Sequence, residues 1–251
     1  MKVRQKLFTV LFLGLWLMAS PLLAQKEAPA EEDEFFYERE LTYGINLNTN
    51  GGLIGGVAGK YAIRIDNRWF HHIGLEIVNV KNPKEERLSN PQTNQSFIPQ
   101  KVNYLFVIRP QYGREYLLFK KGPEDGVHLN AIAAVGPSFG LLKPYYILYS
   151  ATGPNDAQSV PYNSALHRRN TTNIYGSGSL FDGFDQLNVN LGISLKLALS
   201  FEFGQFNDNV IGIEVGGIAE QFGRKLEIMD VAPNRSLFTS GFITLYYGNK
   251  E

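Results

Sequence analysis

Residues 187–203, LNVNLGISLKLALSFEF, carry Leu, Val, Leu, Ile, Leu, Leu, Leu, Phe and Phe on the odd positions, with polar or small residues between them. Alternate side chains of an extended chain point to opposite faces, so this segment has one apolar wall and one polar wall. It is far longer than the ~5–6 residues usual for a strand in a soluble sheet. A soluble sandwich would bury the apolar wall against a second sheet. A membrane-spanning barrel would instead turn it to lipid and face the polar wall inward. Length favours the second, because crossing hydrocarbon takes ~9–11 tilted residues.

The same alternation recurs in LTYGINLNT, LIGGVAGKYAIRI, HHIGLEIVNVK, VNYLFVIRPQYGREYLLF, VHLNAIAAVGPSFGLL, VIGIEVGGIAEQFGRKLEIM and LFTSGFITLYYGN. Together these make eight strands within residues 36–250. Their connections show a second pattern. Counting from the N-terminal rim, the turns on that side (DNRW, KKGPEDG, GQFNDN) are short. The opposite side carries both long loops, residues 82–100 and 150–186. Short turns at one rim and long loops at the other are how outer-membrane barrels are built. The expected fold is therefore all-β: an eight-stranded antiparallel transmembrane β-barrel, wound as an up-and-down meander. No fixed-period repeat points to a propeller or solenoid.

The N-terminus agrees with that address. MKVRQK is a basic start, LFTVLFLGLWLM an apolar core, and ASPLLA leads to a cut expected after Ala24, the tripartite pattern of an export signal. Residues 1–24 read as a signal peptide and 25–35, rich in Glu, as an acidic tether with too little apolar content to order. The expected location is the outer membrane of a Gram-negative bacterium, in contact with its lipid. Lys plus Arg equals Asp plus Glu, 24 each, so charge gives no argument for a nucleic-acid partner. Cysteine is absent, which excludes disulfides, thiolate metal sites and cysteine nucleophiles.

Charges on the polar wall are the most specific chemical feature. Lys60, Arg64, Glu76, Arg109, Lys196, Glu202, Glu214 and Glu220 all fall on it. Eight strands leave a lumen about filled by side chains, and small residues such as Gly44, Gly56, Ala134 and Gly136 suit that crowding. Opposite charges there are expected to pair, since an isolated ion away from water is costly. The network is read as a plug holding the barrel shut and in register, with an ion or solute path as the alternative. Tyr112, Tyr116, Tyr145, Tyr146, Tyr246 and Tyr247 are expected in interfacial girdles, and His71 and His72 beside Trp69 at the near rim. Pro110 and Pro144 are expected at bulges or strand ends.

No residues are assigned as catalytic and none as metal ligands, and no cofactor is expected. Glycine-rich GGLIGGVAGK lacks the Ser or Thr that ends a phosphate loop and lies inside a strand. The sequence SALHRRN puts Ser164, His167, Arg168 and Arg169 in the long loop. A lipid-modifying hydrolase or acyltransferase could place a nucleophile and base there, but no orienting carboxylate is evident; Asp156, Asp182 and Asp185 share the loop. Arg168 and Arg169 with His167 are read instead as a contact for a partner or for glycolipid phosphate.

The leader ending LLAQ, the Gly/aromatic alternation and the closing strand GFITLYYGN resemble the small outer-membrane β-barrels of Bacteroidota, including those associated with type IX secretion. The resemblance covers about residues 36–249. It implies a non-enzymatic barrel serving as accessory subunit of an envelope complex and transfers no functional residue. A small channel or apolar-solute conduit, and a lipid-modifying enzyme, are the alternatives.

Overall fold

The computed structural model describes residues 38–120, 126–203 and 209–250. The expected signal peptide and acidic tether lie outside the described residues. Eight long strands form a closed barrel: β1 Arg39–Asn48, β2 Gly52–Arg64, β3 Trp69–Val80, β4 Asn103–Phe119, β5 His128–Pro144, β6 Asn188–Phe203, β7 Asn209–Leu226 and β8 Arg235–Lys250. Every strand pairs antiparallel with its sequence neighbours, and β8 closes on β1, as in Tyr43 opposite Tyr247. Closure removes the two open edges, which hydrocarbon could not satisfy.

Register sets the barrel's shape. A row of cross-strand partners runs Leu41, Tyr61, Ile73, Tyr112, Val135, Leu195, Ala219, Thr239. Leu41 itself pairs across the seam with Asn249, ten residues further along β8 than Thr239. A closed sheet with that stagger must tilt its strands, by roughly 35–45° to the axis. At Gly44, Gly56 and Gly136 a Cβ would strike a carbonyl oxygen of the adjacent strand, so these positions need glycine for the sheet to coil this tightly.

The apolar wall faces outward and is left uncovered by the described residues. Leu191, Leu195 and Leu199 are 66%, 54% and 41% exposed; in a soluble sandwich they would be buried. Leu41, Ile45, Val57, Leu75 and Ile243 are exposed likewise. The fold is an eight-stranded up-and-down transmembrane β-barrel. Near the N-terminal rim Tyr43 packs edge-on against Tyr247 at 5.9 Å, and Trp69 lies 4.7 Å from Tyr116, an aromatic girdle. Three expected girdle tyrosines are elsewhere. Tyr246 has the inward parity of β8 and is buried in the lumen, while Tyr145 and Tyr146 follow the end of β5 at Pro144 and belong to the loops, Tyr145 in their core.

Pro144 ends β5 as expected, whereas Pro110 sits mid-strand in β4. There it faces Leu75 of β3 in register, while the pairing with β5 is interrupted between Ile108 and Tyr112. The missing proline N–H falls where that ladder has its gap.

Replacing Leu197 by Arg, an outward position well inside the girdle, should destabilise the inserted barrel by roughly 2–4 kcal/mol, against about 0–1 for Leu41→Arg near the rim. Urea unfolding in lipid vesicles measures the gradient; equal costs at the two depths would mean that this face does not meet hydrocarbon.

Candidate functional site

The lumen is filled in layers. Nearest the N-terminal rim, Ala62, Phe70 and Leu117 form an apolar floor. Above it Lys60 Nζ lies 2.7 Å from Glu40 Oε1 and 3.3 Å from both Glu115 oxygens. Asn130 donates to Glu115 Oε1 at 2.7 Å, and His72 Nδ1 stands 3.7 Å from Glu115 Oε2. Lys250 Nζ donates to both oxygens of Glu202 at 2.6 and 2.7 Å, and lies 3.9 Å from Glu40.

A second network crosses the middle. Arg109 grips Glu220 bidentately, Nε to Oε1 at 2.7 Å and Nη2 to Oε2 at 2.5 Å, and donates to Glu76 at 3.2 Å. Ser138 adds a hydroxyl to Glu220 at 2.8 Å. Lys196 bridges Glu76 and Glu214, each at 2.7 Å, and its ammonium lies 4.9 Å from the Phe242 ring. All these ions are buried. Burial of such ions is tolerable only with pairing and hydrogen bonding of this completeness. A cavity of ≈ 20 Å³ remains, lined by residues of both networks including Lys60, His72, Glu76 and Lys196; that is room for about one water.

Toward the far rim the interior turns apolar. Val78, Val80, Leu105, Val107, Leu142, Phe222 and Leu226 meet Ile228 and Met229 of the last loop. The polar wall thus corrects to a polar middle between apolar ends. Seven of the eight charges expected in the lumen join the two networks; Arg64 instead bonds the near-rim turn, to Asp66 O and Asn67 Oδ1. Sequence reading missed Glu40, Glu115, Lys250 and His72. Glu40 and Lys250 lie at strand ends and Glu115 within β4, and the same period-two count predicts the inward aim of all three. His72 was placed at the interface with His71, but adjacent residues of a strand face opposite ways: His72 is buried inside and His71 lies outside.

The two long loops fold together into a cap. Three short strands, Tyr146–Tyr149, Gln158–Pro161 and Ile174–Ser177, form a sheet. It encloses a core of Phe97, Ile98, Tyr145, Ile147, Tyr162 and Ile174. Asn90 donates to Ile174 O at 2.8 Å and Thr93 to Tyr175 O at 2.5 Å, tying loop 82–100 to loop 150–186. Lys101 pairs with Glu85 at 2.6 Å and lies over the Tyr104 ring at 4.3 Å; burial draws its pKa down against the pull of Glu85. The Tyr145 hydroxyl, pushed up to about 12 by burial, accepts the Ile98 N–H.

His167 belongs to this cap rather than to its surface. Asn163 caps the single helical turn Ser164–His167, and its N–H donates to His167 Nδ1 at 2.9 Å. That leaves Nε2 with the proton, and the ring packs against Tyr149 and Tyr162. Asp182 accepts from Ser159 and the Ser179 N–H, and Asp156 accepts from Thr152; both hold turns. Arg168 and Arg169 remain exposed, Arg168 3.7 Å from Asp230. The outer surface of the same loop also presents Leu180, Phe181 and Phe184, 63%, 83% and 50% exposed.

No protein-family model matches the chain, and no curated protein does. Among solved structures, Ail, the attachment invasion locus protein of Yersinia pestis, is similar at 11% identity over 86% of this chain and 100% of its own, with a TM-score of 0.41. Ail in complex with the heparin analogue sucrose octasulfate gives 9% identity over the same spans and 0.39. Neisserial surface protein A gives 8% over 85% of this chain and 96% of its own, at 0.40. Likenesses so distant carry no functional argument, and the fold stands on its own register.

Truncating Arg109 to Leu strands Glu220 and leaves Glu76 to Lys196 alone, and should cost about 3–5 kcal/mol of stability, read by urea unfolding in vesicles. A normally stable variant that leaked ions in a planar bilayer would reverse the plug reading. Burial holds the His167 pKa below its ordinary 6.5. The unfolded loop therefore takes the proton first, so the His167 contribution to the cap is full above pH ~6.5 and is lost as pH falls through the lowered native value. Amide protection at Tyr162 and Ile174, taken relative to the intrinsic exchange rate at each pH, should fall at pH 5 relative to pH 7.5, and His167→Phe should remove the difference.

Proposed function

We propose that this protein is an outer-membrane barrel of a Gram-negative bacterium with a structural or accessory role in an envelope complex. Its folded cap would contact a partner protein. The observation that carries the reading is the division of the molecule into a packed, charge-plugged lumen and an ordered cap with an apolar knob on its surface. A conduit needs a continuous path, whereas the cavity lined by both charge networks is water-sized. A lipid-modifying enzyme needs an available base, and the His167 ring is held by Asn163 and two tyrosines. Leu180 and Phe181 stand in the opposite position, large apolar groups exposed on a loop otherwise folded on a core of its own, which is the signature of a docking surface. Arg168 and Arg169 on the same loop supply charge for a partner's carboxylates or for glycolipid phosphate. The sequence resemblance to Bacteroidota barrels associated with type IX secretion supports an accessory subunit of such a machine.

Co-purification in gentle detergent tests this. The wild-type barrel should bring down a stoichiometric envelope protein, and the pair Leu180→Asp and Phe181→Asp should lose it while the barrel keeps its heat-resistant fold. Recovery of the barrel alone under conditions that preserve other envelope complexes counts against the proposal.

A further inference from the structure

The outward face carries a cation inside the near-rim aromatic girdle. Arg114 on β4 points out beside His71 of β3, its direct cross-strand partner, and Nη1 lies 3.2 Å from His71 Nδ1. The same nitrogen of His71 is 2.7 Å from the Tyr112 hydroxyl. A guanidinium can only donate, so His71 Nδ1 is the acceptor in this contact. Among the described residues no carboxylate lies within ion-pair distance of Arg114. A guanidinium on a lipid-facing wall, two residues inside the Tyr116 girdle, is an unbalanced charge.

Directly beside it the girdle is hollow. Arg114 pairs in register with Ala133 of β5. Ala131 and Ala133, two successive outward positions, floor a groove of ≈ 570 Å³ walled by Tyr116, Trp69 and Leu199. Its size falls in the ~300–1,000 Å³ range of small-molecule sites. An apolar trough with one cation in its wall, just inside the Trp69–Tyr116 girdle, is complementary to a molecule with an apolar chain and a single anionic head.

We propose that this groove is a glycerophospholipid site, in which Arg114 holds the headgroup phosphate and the alanine-floored trough receives an acyl chain. His71 holds the guanidinium, and the Tyr112 hydroxyl holds the imidazole. Its planar fork suits two phosphate oxygens. The site lies in the leaflet of the short turns, which rests on the outer-membrane reading above. There the lipid would fill a gap between the wall and bulk bilayer.

Native mass spectrometry of the detergent-solubilised full chain, titrated with phosphatidylglycerol or with diacylglycerol of the same chains, tests this. Wild type should retain one phosphatidylglycerol under activation that strips detergent, and diacylglycerol far less. Arg114→Gln and Ala133→Phe should each lower retention about tenfold, the scale of one lost charge-assisted contact, and Arg39→Gln at the same rim should not. Heat-modified gel migration checks that each variant is folded. Retention of both lipids alike, no retention by wild type, or variants within twofold of wild type would overturn the site. A chain that is compact and soluble without detergent would instead overturn the membrane reading itself, so the two failures are distinguishable.

Discussion

Hydrocarbon offers no hydrogen-bond partner to a peptide group, and this one constraint shapes the rest of the molecule. It requires β8 to return to β1 across the Tyr43–Tyr247 seam. Closing eight twisted strands with a ten-residue stagger makes a narrow, tilted cylinder. A narrow cylinder has no room for a water column lined by long side chains, so its ions must satisfy one another. The Arg109 fork on Glu220 and the Lys196 bridge from Glu76 to Glu214 are that solution. The same ions tie β3, β4, β6 and β7 together across the lumen, at positions where a one-residue slip would turn each charge into lipid. The plug thus fixes register as well as filling space.

The layering has its own logic. Charges occupy the near and middle levels, where strands contribute inward Glu and Lys at matched heights. At the far level the lumen opens under the loops, and Phe222, Leu226 and Leu105 close it with Ile228 and Met229. The apolar lid continues the barrel wall into the cap. Val102 and Asn103 donate backbone N–H groups to Ile228 O, and Asp230 N–H donates to Gln100 O. The seal at the far end and the folding of the cap are therefore parts of one packing arrangement.

Most of the barrel was legible because strands in lipid obey a strict period of two. The eight strands, their order and seven lumen charges follow from parity and loop length. Parity also held the information that was overlooked. Leu105 and Val107 share the parity of Arg109, so an apolar inner end was countable, but a rule of polar interiors hid it. His72 was misplaced because two adjacent histidines were read as one feature. The cap was less accessible. Strands such as Gln158–Pro161 are four residues long and too short to show a period, and their pairing depends on contacts between loops distant in sequence. Asn90 to Ile174 is one such contact. Ser164 and His167 suggested chemistry by spacing alone, and the three-dimensional role of His167 proved to be a cap and a ring stack.

A sequence this consistent makes its departures informative. Nearly every outward position of the girdle is aliphatic or aromatic, and every buried lumen ion named here has an opposite charge within 4 Å. Local rules that agree throughout a fold are expected to fail where function imposes a cost. Two departures stand out by that criterion. Arg114 with alanines beside it breaks the outward rule near the N-terminal rim, and Phe181, 83% exposed, breaks the inward rule for large apolar groups in the cap. They lie on opposite sides of the membrane plane and differ in kind, one a lone cation facing hydrocarbon, the other an aromatic facing water. Each exposes a group to the solvent it is least suited to, and each would be relieved by a partner of complementary chemistry. The charged groups of the lumen between them are paired with one another, so both departures lie on the outer surface of the molecule.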